Sequence, residues 1–113
     1  LTAKPVIPRE QASRDADAAL DFYLAEGAVG AALGFIDALE QAYEHLSHHA
    51  ATGSPRYGHE LGLAGLRAWP LTRYPFLVFY LECDDRIDVW RVLHTRRDIP
   101  ERMRDADVHR PMP

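Results

Sequence analysis

Apolar side chains return every third or fourth residue from Ala12 onward, at Ala12, Ala16, Ala19, Leu20, Tyr23 and Leu24, while Arg14, Asp17 and Asp21 fall largely elsewhere. That period predicts an amphipathic helix, and Gly27 sits where a C′ residue would end it. A second helix starts almost at once: Ala32, Phe35, Leu39, Ala42 and Leu46 alternate steps of three and four, and Ile36 and Tyr43 widen the stripe. So short a connection makes the two helices antiparallel neighbours, a hairpin with an apolar face still to cover.

Around the hairpin the pattern changes period. Lys4-Pro5-Val6-Ile7-Pro8 is bracketed by prolines and suits an edge strand or an extended lead-in. Residues 50–65 hold four glycines and a proline and read as a loop. Three β segments follow, Leu66 to Leu71, Phe76 to Glu82 and Ile87 to His94, the middle one nearly all apolar and therefore central. Cys83-Asp84-Asp85-Arg86 is a turn short enough to make the last two strands antiparallel. Strict alternation in the last strand sends Ile87, Val89, Arg91 and Leu93 to one face and Asp88, Trp90, Val92 and His94 to the other, with one face on the hairpin and the other partly open. After His94 a turn leads into a short helix with Pro100 near its start, and the tail over 105–113 is expected to fray. The fold class is α+β: an N-terminal edge strand, an antiparallel helical hairpin packed on a twisted antiparallel sheet, and a short C-terminal helix, in one domain over residues 1–113.

Composition narrows the function. With 113 residues, 47% of them apolar, the chain can bury one core. A lone cysteine, Cys83, excludes an internal disulfide and paired-cysteine metal sites, and fits a reducing compartment. No leader pattern opens the chain and no run approaches the roughly 18 apolar residues of a membrane span, so a cytoplasmic protein without membrane contact is expected. The net charge of −4 is uneven: residues 86–104 carry six arginines against three acids, a local +3 that leaves −7 elsewhere. A general nucleic-acid binder would be basic throughout, so direct sequence-specific DNA binding by this chain alone is not expected.

Three motifs occur in order behind the hairpin: Gly65-Leu66-Arg67 opening the sheet, Arg73-Tyr74-Pro75-Phe76-Leu77-Val78-Phe79-Tyr80 along the middle strand, and Arg91-Val92-Leu93-His94-Thr95-Arg96-Arg97-Asp98-Ile99-Pro100 at the end. In these, over roughly Lys4 to Pro100, the sequence resembles the ParE toxins of the RelE/ParE toxin–antitoxin superfamily. The resemblance implies a cognate antitoxin, encoded beside the toxin, whose C-terminal segment wraps it, and DNA gyrase as the target, trapped on cleaved DNA. The superfamily's RelE-like branch instead cuts messenger RNA on the ribosome, chemistry that needs a base for the ribose 2′-hydroxyl, cations on the phosphate and an acid for the leaving oxygen. Alignment on Tyr80 and Arg97 puts Leu77 where that branch has a strand arginine and Met103 where it has a tyrosine; Arg97 is retained, and Lys4 is the only lysine. Inhibition through protein contact is thereby favoured over RNA cleavage. The alternatives are a RelE-like endoribonuclease with an altered site and a degenerate member that only binds a partner.

No catalytic residue, cofactor or metal site is assigned. Candidates for target or antitoxin contact are Arg67, Arg73, Tyr74, Arg91, His94, Arg96, Arg97 and Asp98, with an antitoxin expected over the open sheet face. Four of them have a structural alternative: Arg97 and Asp98 as an ion pair pinning the terminal turn, Arg67 as a fork onto backbone oxygens, His94 as a hydrogen-bonded strand end. His45 and His49 have an i, i+4 zinc spacing, but a solvated helix end is the simpler reading. Trp69 and Trp90 are expected as core anchors, and Phe35, Leu39 and Leu46 as core.

Overall fold

The computed structural model describes residues 3–96. Strand β1 (Val6–Pro8) leads into helix α1 (Glu10–Ala25), then α2 (Val29–His48), a 3-10 turn at Ala50–Thr52, a short α3 (Arg56–Leu61), and strands β2 (Leu66–Pro70), β3 (Phe76–Glu82) and β4 (Ile87–His94). The sheet order is β1-β4-β3-β2. Strands β2, β3 and β4 are antiparallel as the short turns require, whereas the proline-bracketed edge strand joins β4 in parallel, so the four-stranded sheet is mixed. The expected C-terminal helix and tail, with Arg97 and Asp98, lie outside the described residues.

The hairpin forms as its period predicts. Gly27 takes φ +72°, and the N–H groups of Gly27 and Ala28 donate to the carbonyls of Leu24 and Tyr23, a Schellman ending that reverses the chain. Small side chains (Ala12, Ala19, Ala38, Ala42) let both helices approach the sheet, where they bury Phe35 and Leu46 against Phe76, Val78, Tyr80, Ile87, Val89 and Val92. Leu39 packs on the margin of this core.

Two expectations are corrected. Residues 50–65 are not a plain loop: α3 forms there, started by the Ser54 hydroxyl, which accepts from the Arg56 N–H, supported by the Arg56–Glu60 pair at i, i+4, and ended by Gly62 at φ +67°. Its Tyr57, Leu61 and the following Leu63 pack over Leu66, Ala68, Phe79, Trp90 and Leu93, so the sheet face expected to be open is covered. Gly58 makes this possible, because a Cβ there would stand 2.6 Å from the Leu66 carbonyl oxygen.

The second correction lies in β4. Phe79 faces Arg91 and Tyr80 faces Val89, so β4 carries one residue more than β3 at that point, a β-bulge. Beyond it the faces exchange. Val92 joins Ile87 and Val89 under the helices, while Leu93 joins Trp90 on the α3 side, the reverse of strict alternation. Asp15 of α1 holds the bulge: its carboxylate accepts from the Val92 N–H at 3.0 Å and from Arg91 Nε at 2.7 Å and Nη2 at 2.9 Å. A second acid, Asp88, does similar work on the α3 face. It takes both ends of the Arg9 guanidinium, at 3.0 and 2.8 Å, and the Trp90 indole N–H at 3.2 Å, with Arg9 stacked on Trp90 at 4.4 Å. Both pairs tie the N-terminal segment to β4.

Candidate interaction surface

One end of the sheet gathers four of the proposed contact residues. The β2–β3 turn presents Arg73 and Tyr74, and the end of β4 lies beside it, with the Thr95 N–H donating to the Pro75 carbonyl at 2.8 Å. His94 thereby comes against Phe76, ring centroids 5.2 Å apart, and its Nδ1 accepts from the Arg96 N–H at 3.1 Å. Tyr74 reaches across to α2, where its hydroxyl donates to the Ala31 carbonyl at 2.8 Å. Gly34 is what admits it: a Cβ at position 34 would stand 2.2 Å from that hydroxyl oxygen.

Tyr74 also belongs to a run of edge-on and tilted aromatic contacts. From Phe22 the run passes through Tyr23 to Phe35 and Tyr74, and from Phe35 through Phe76 to His94, with centroid separations of 5.2 to 6.1 Å. Burial, and after it the neighbouring Tyr74, raise the Tyr23 hydroxyl above the usual tyrosine range. Beside the run lies a groove of about 300 Å³ lined by Ala18, Ala19, Phe22, Tyr23, Phe76 and His94. The hairpin end next to it is apolar and open: Phe22 is 60% exposed, Val29 57% and Leu33 59%. Large exposed apolar side chains at one end of a hairpin make that end a candidate for contact with another molecule. Sequence reading missed these three because they fall outside the core stripes. An apolar residue off the stripe of an amphipathic helix is the signal that could have found them.

The other candidates lie apart. Arg67 faces away from this end, its Nη1 donating to the Gly53 carbonyl at 2.7 Å, so it fastens the 50–53 turn to β2. Arg91 is 5% exposed and turned inward to Asp15. Trp90 is buried, and Trp69 is half-buried under His45, stacked at 4.1 Å. His45 shares a hydrogen bond with the Thr52 hydroxyl at 2.8 Å. Among the described residues no three histidine, cysteine, aspartate or glutamate side chains converge as a metal site. No described helix is long and apolar enough to cross a membrane.

A family model described as the ParE toxin of the type II toxin–antitoxin system parDE matches residues 6–99. The chain belongs to the ParE toxin family. A chain of the solved structure "Chromosomal ParDE TA system from P. aeruginosa" shares the fold, with a TM-score of 0.69 and 21% identity, over 83% of this chain and 98% of that one. No curated protein matches the sequence. The ParE match runs from β1 through β4, so it takes in the hairpin end, the turn bearing Arg73 and the strand bearing His94.

Proposed function

We propose that this toxin acts by protein contact, inhibiting DNA gyrase without catalysis of its own, and that a cognate antitoxin silences it by covering the hairpin end and the adjoining groove. The observation that carries the reading is the exposure of three large apolar side chains at the hairpin end, Phe22, Val29 and Leu33, of which Phe22 also lines the groove that His94 lines. Apolar cover of that kind suits a polypeptide partner, whose side chains can enter the groove and whose association would remove the three exposed ones from water. It does not suit a phosphodiester, which needs converging cations. In the groove His94 is accompanied by alanine, phenylalanine and tyrosine, and Leu77, the position of the RelE-like strand arginine, is half-buried at the margin of the apolar core under α3. Arg96 adjoins this surface through its N–H, which donates to His94 Nδ1.

Induction of the chain in cells tests the reading. Filamentation, a DNA-damage response and strand breaks that depend on gyrase are expected, with full rescue by co-expression of the antitoxin encoded beside it. Rapid loss of translation with cleaved messages and intact chromosomes would overturn it.

A further inference from the structure

Arg73 has φ +68°, in the left-handed region that L residues other than asparagine and aspartate rarely occupy. Glycine at this position would be free of that strain. The side chain is exposed and has no hydrogen bond or ion pair among the described residues. The backbone around it leaves no freedom to relax. Leu71 N–H donates to the Phe76 carbonyl and Phe76 N–H to the Tyr74 carbonyl, Tyr74 is fastened to α2, and Pro75 is tied to Thr95. The guanidinium therefore projects from a fixed frame, which removes much of the ordering cost of a contact.

Beneath it runs a second groove of about 390 Å³, floored by Gly34 and Ala38 and walled by Asp37 and Gln41 on one side and Thr72, Arg73 and Tyr74 on the other. This groove is polar where the His94 groove is apolar. Asp37, with Glu40 and Glu44 farther along the same helix, would repel the many charges of a phosphate backbone lying along the groove, a cost that a single carboxylate held at the Arg73 wall largely escapes. A carboxylate on a polypeptide meets the arginine fork directly, while neighbouring backbone N–H groups meet Asp37 and Gln41.

We infer that Arg73 is a contact residue for the toxin's cellular target, taking an acidic side chain of that protein, and that the antitoxin's affinity rests instead on the apolar hairpin end. Large apolar cover is the mark of lasting association, and a small polar site with one preset charge fits a shorter-lived encounter. The inference rests on the reading that the toxin works by protein contact. It does not rest on which enzyme is the target.

The experiment compares wild type with Arg73→Gly and Arg73→Glu by viable counts after induction, melting temperature, and calorimetric affinity for the antitoxin encoded beside the toxin. Arg73→Gly is expected to melt at or above wild type, by up to roughly 5 °C as the strain is released. It should restore viable counts by about 100-fold or more while changing antitoxin affinity less than about threefold, and Arg73→Glu should be equally non-toxic. Full toxicity of the folded glycine variant overturns the inference, and so does a tenfold loss of antitoxin affinity accompanying lost toxicity. Purified wild type that arrests growth but leaves gyrase supercoiling intact strikes the gyrase reading alone.

Discussion

Replacing Arg91 with methionine keeps most of the side chain's length and apolar bulk and deletes only the guanidinium. In the native chain that group and Asp15 are 6% and 8% exposed, and the carboxylate accepts from Arg91 twice and from the Val92 N–H once. Without Arg91 the carboxylate retains one backbone donor in a site with almost no water. Breaking one side of such a buried pair costs about 3–5 kcal/mol, most of it from the stranded charge. A domain of this size has only about 5–15 kcal/mol in all, so the melting temperature should fall by roughly 12–25 °C. The double variant Asp15→Asn/Arg91→Met removes the charge but leaves an amide oxygen for Val92, and should lie within about 1–2 kcal/mol of wild type. Urea unfolding of wild type, Asp15→Asn, Arg91→Met and the double variant completes the cycle. The same samples, at a temperature where each is folded, should bind antitoxin alike, because Arg91 faces inward. Arg91→Met with stability within about 1 kcal/mol of wild type and a tenfold weaker complex would falsify the assignment of this arginine to the interior.

Three further outcomes follow from particular contacts. Gly34→Ala should lose about 1–2 kcal/mol by urea unfolding even after its gain in helix propensity, since its Cβ collides with the Tyr74 hydroxyl, and Gly34→Ala/Tyr74→Phe should recover most of that loss. Phe22→Ser and Leu33→Ser, both at exposed positions, should change stability by no more than about 0.5 kcal/mol yet weaken antitoxin binding at least about tenfold in calorimetry; unchanged affinity would remove the hairpin end from the interface. Burial first, and then the nearby Asp15, push the Tyr43 hydroxyl up to about 12 from 10.0. The folded chain holds that proton more tightly than the unfolded one, so the contribution is intact below pH 10 and disappears as pH rises toward 12, on the order of 2–3 kcal/mol. Urea midpoints taken from pH 9 to 12 should fall along that range, and Tyr43→Phe should flatten the decline.

The hairpin was legible because its signal is local: a helix stripe repeats every few residues, and Gly27 announces its end. The grouping of Arg73, Tyr74 and His94 follows in the same way, since short turns between antiparallel strands bring them to one end of the sheet. What stayed hidden depends on partners far along the chain. The bulge at Trp90 is held by Asp15, 76 residues before Arg91, and alternation within β4 contains no trace of it. Gly58 and Gly62 count as loop signals in the sequence, yet one admits the Leu66 carbonyl and the other ends α3 in the left-handed region. Glycine density alone does not distinguish a loop from a short helix pressed closely on a sheet.

The same distance effect bears on how the toxin recognises another molecule. Read as a string, residues 86–104 form a basic run that could serve a nucleic acid. Folded, Arg86 bonds to Asp85 at 2.9 Å and Arg91 to Asp15, so two of the six arginines are matched by acids before any partner arrives. Asp88, counted within the run, is itself covered by Arg9. What faces outward at the described end of the run is Arg96 beside an apolar groove, on a chain whose total charge is −4. Affinity for phosphates grows with the number of cations that can reach them, and the described residues of this surface offer few; affinity for a polypeptide grows with apolar area removed from water around a small number of well-placed charges. On the reading proposed above, Phe22, Val29 and Leu33 supply that area, and Arg96 is the charge beside it.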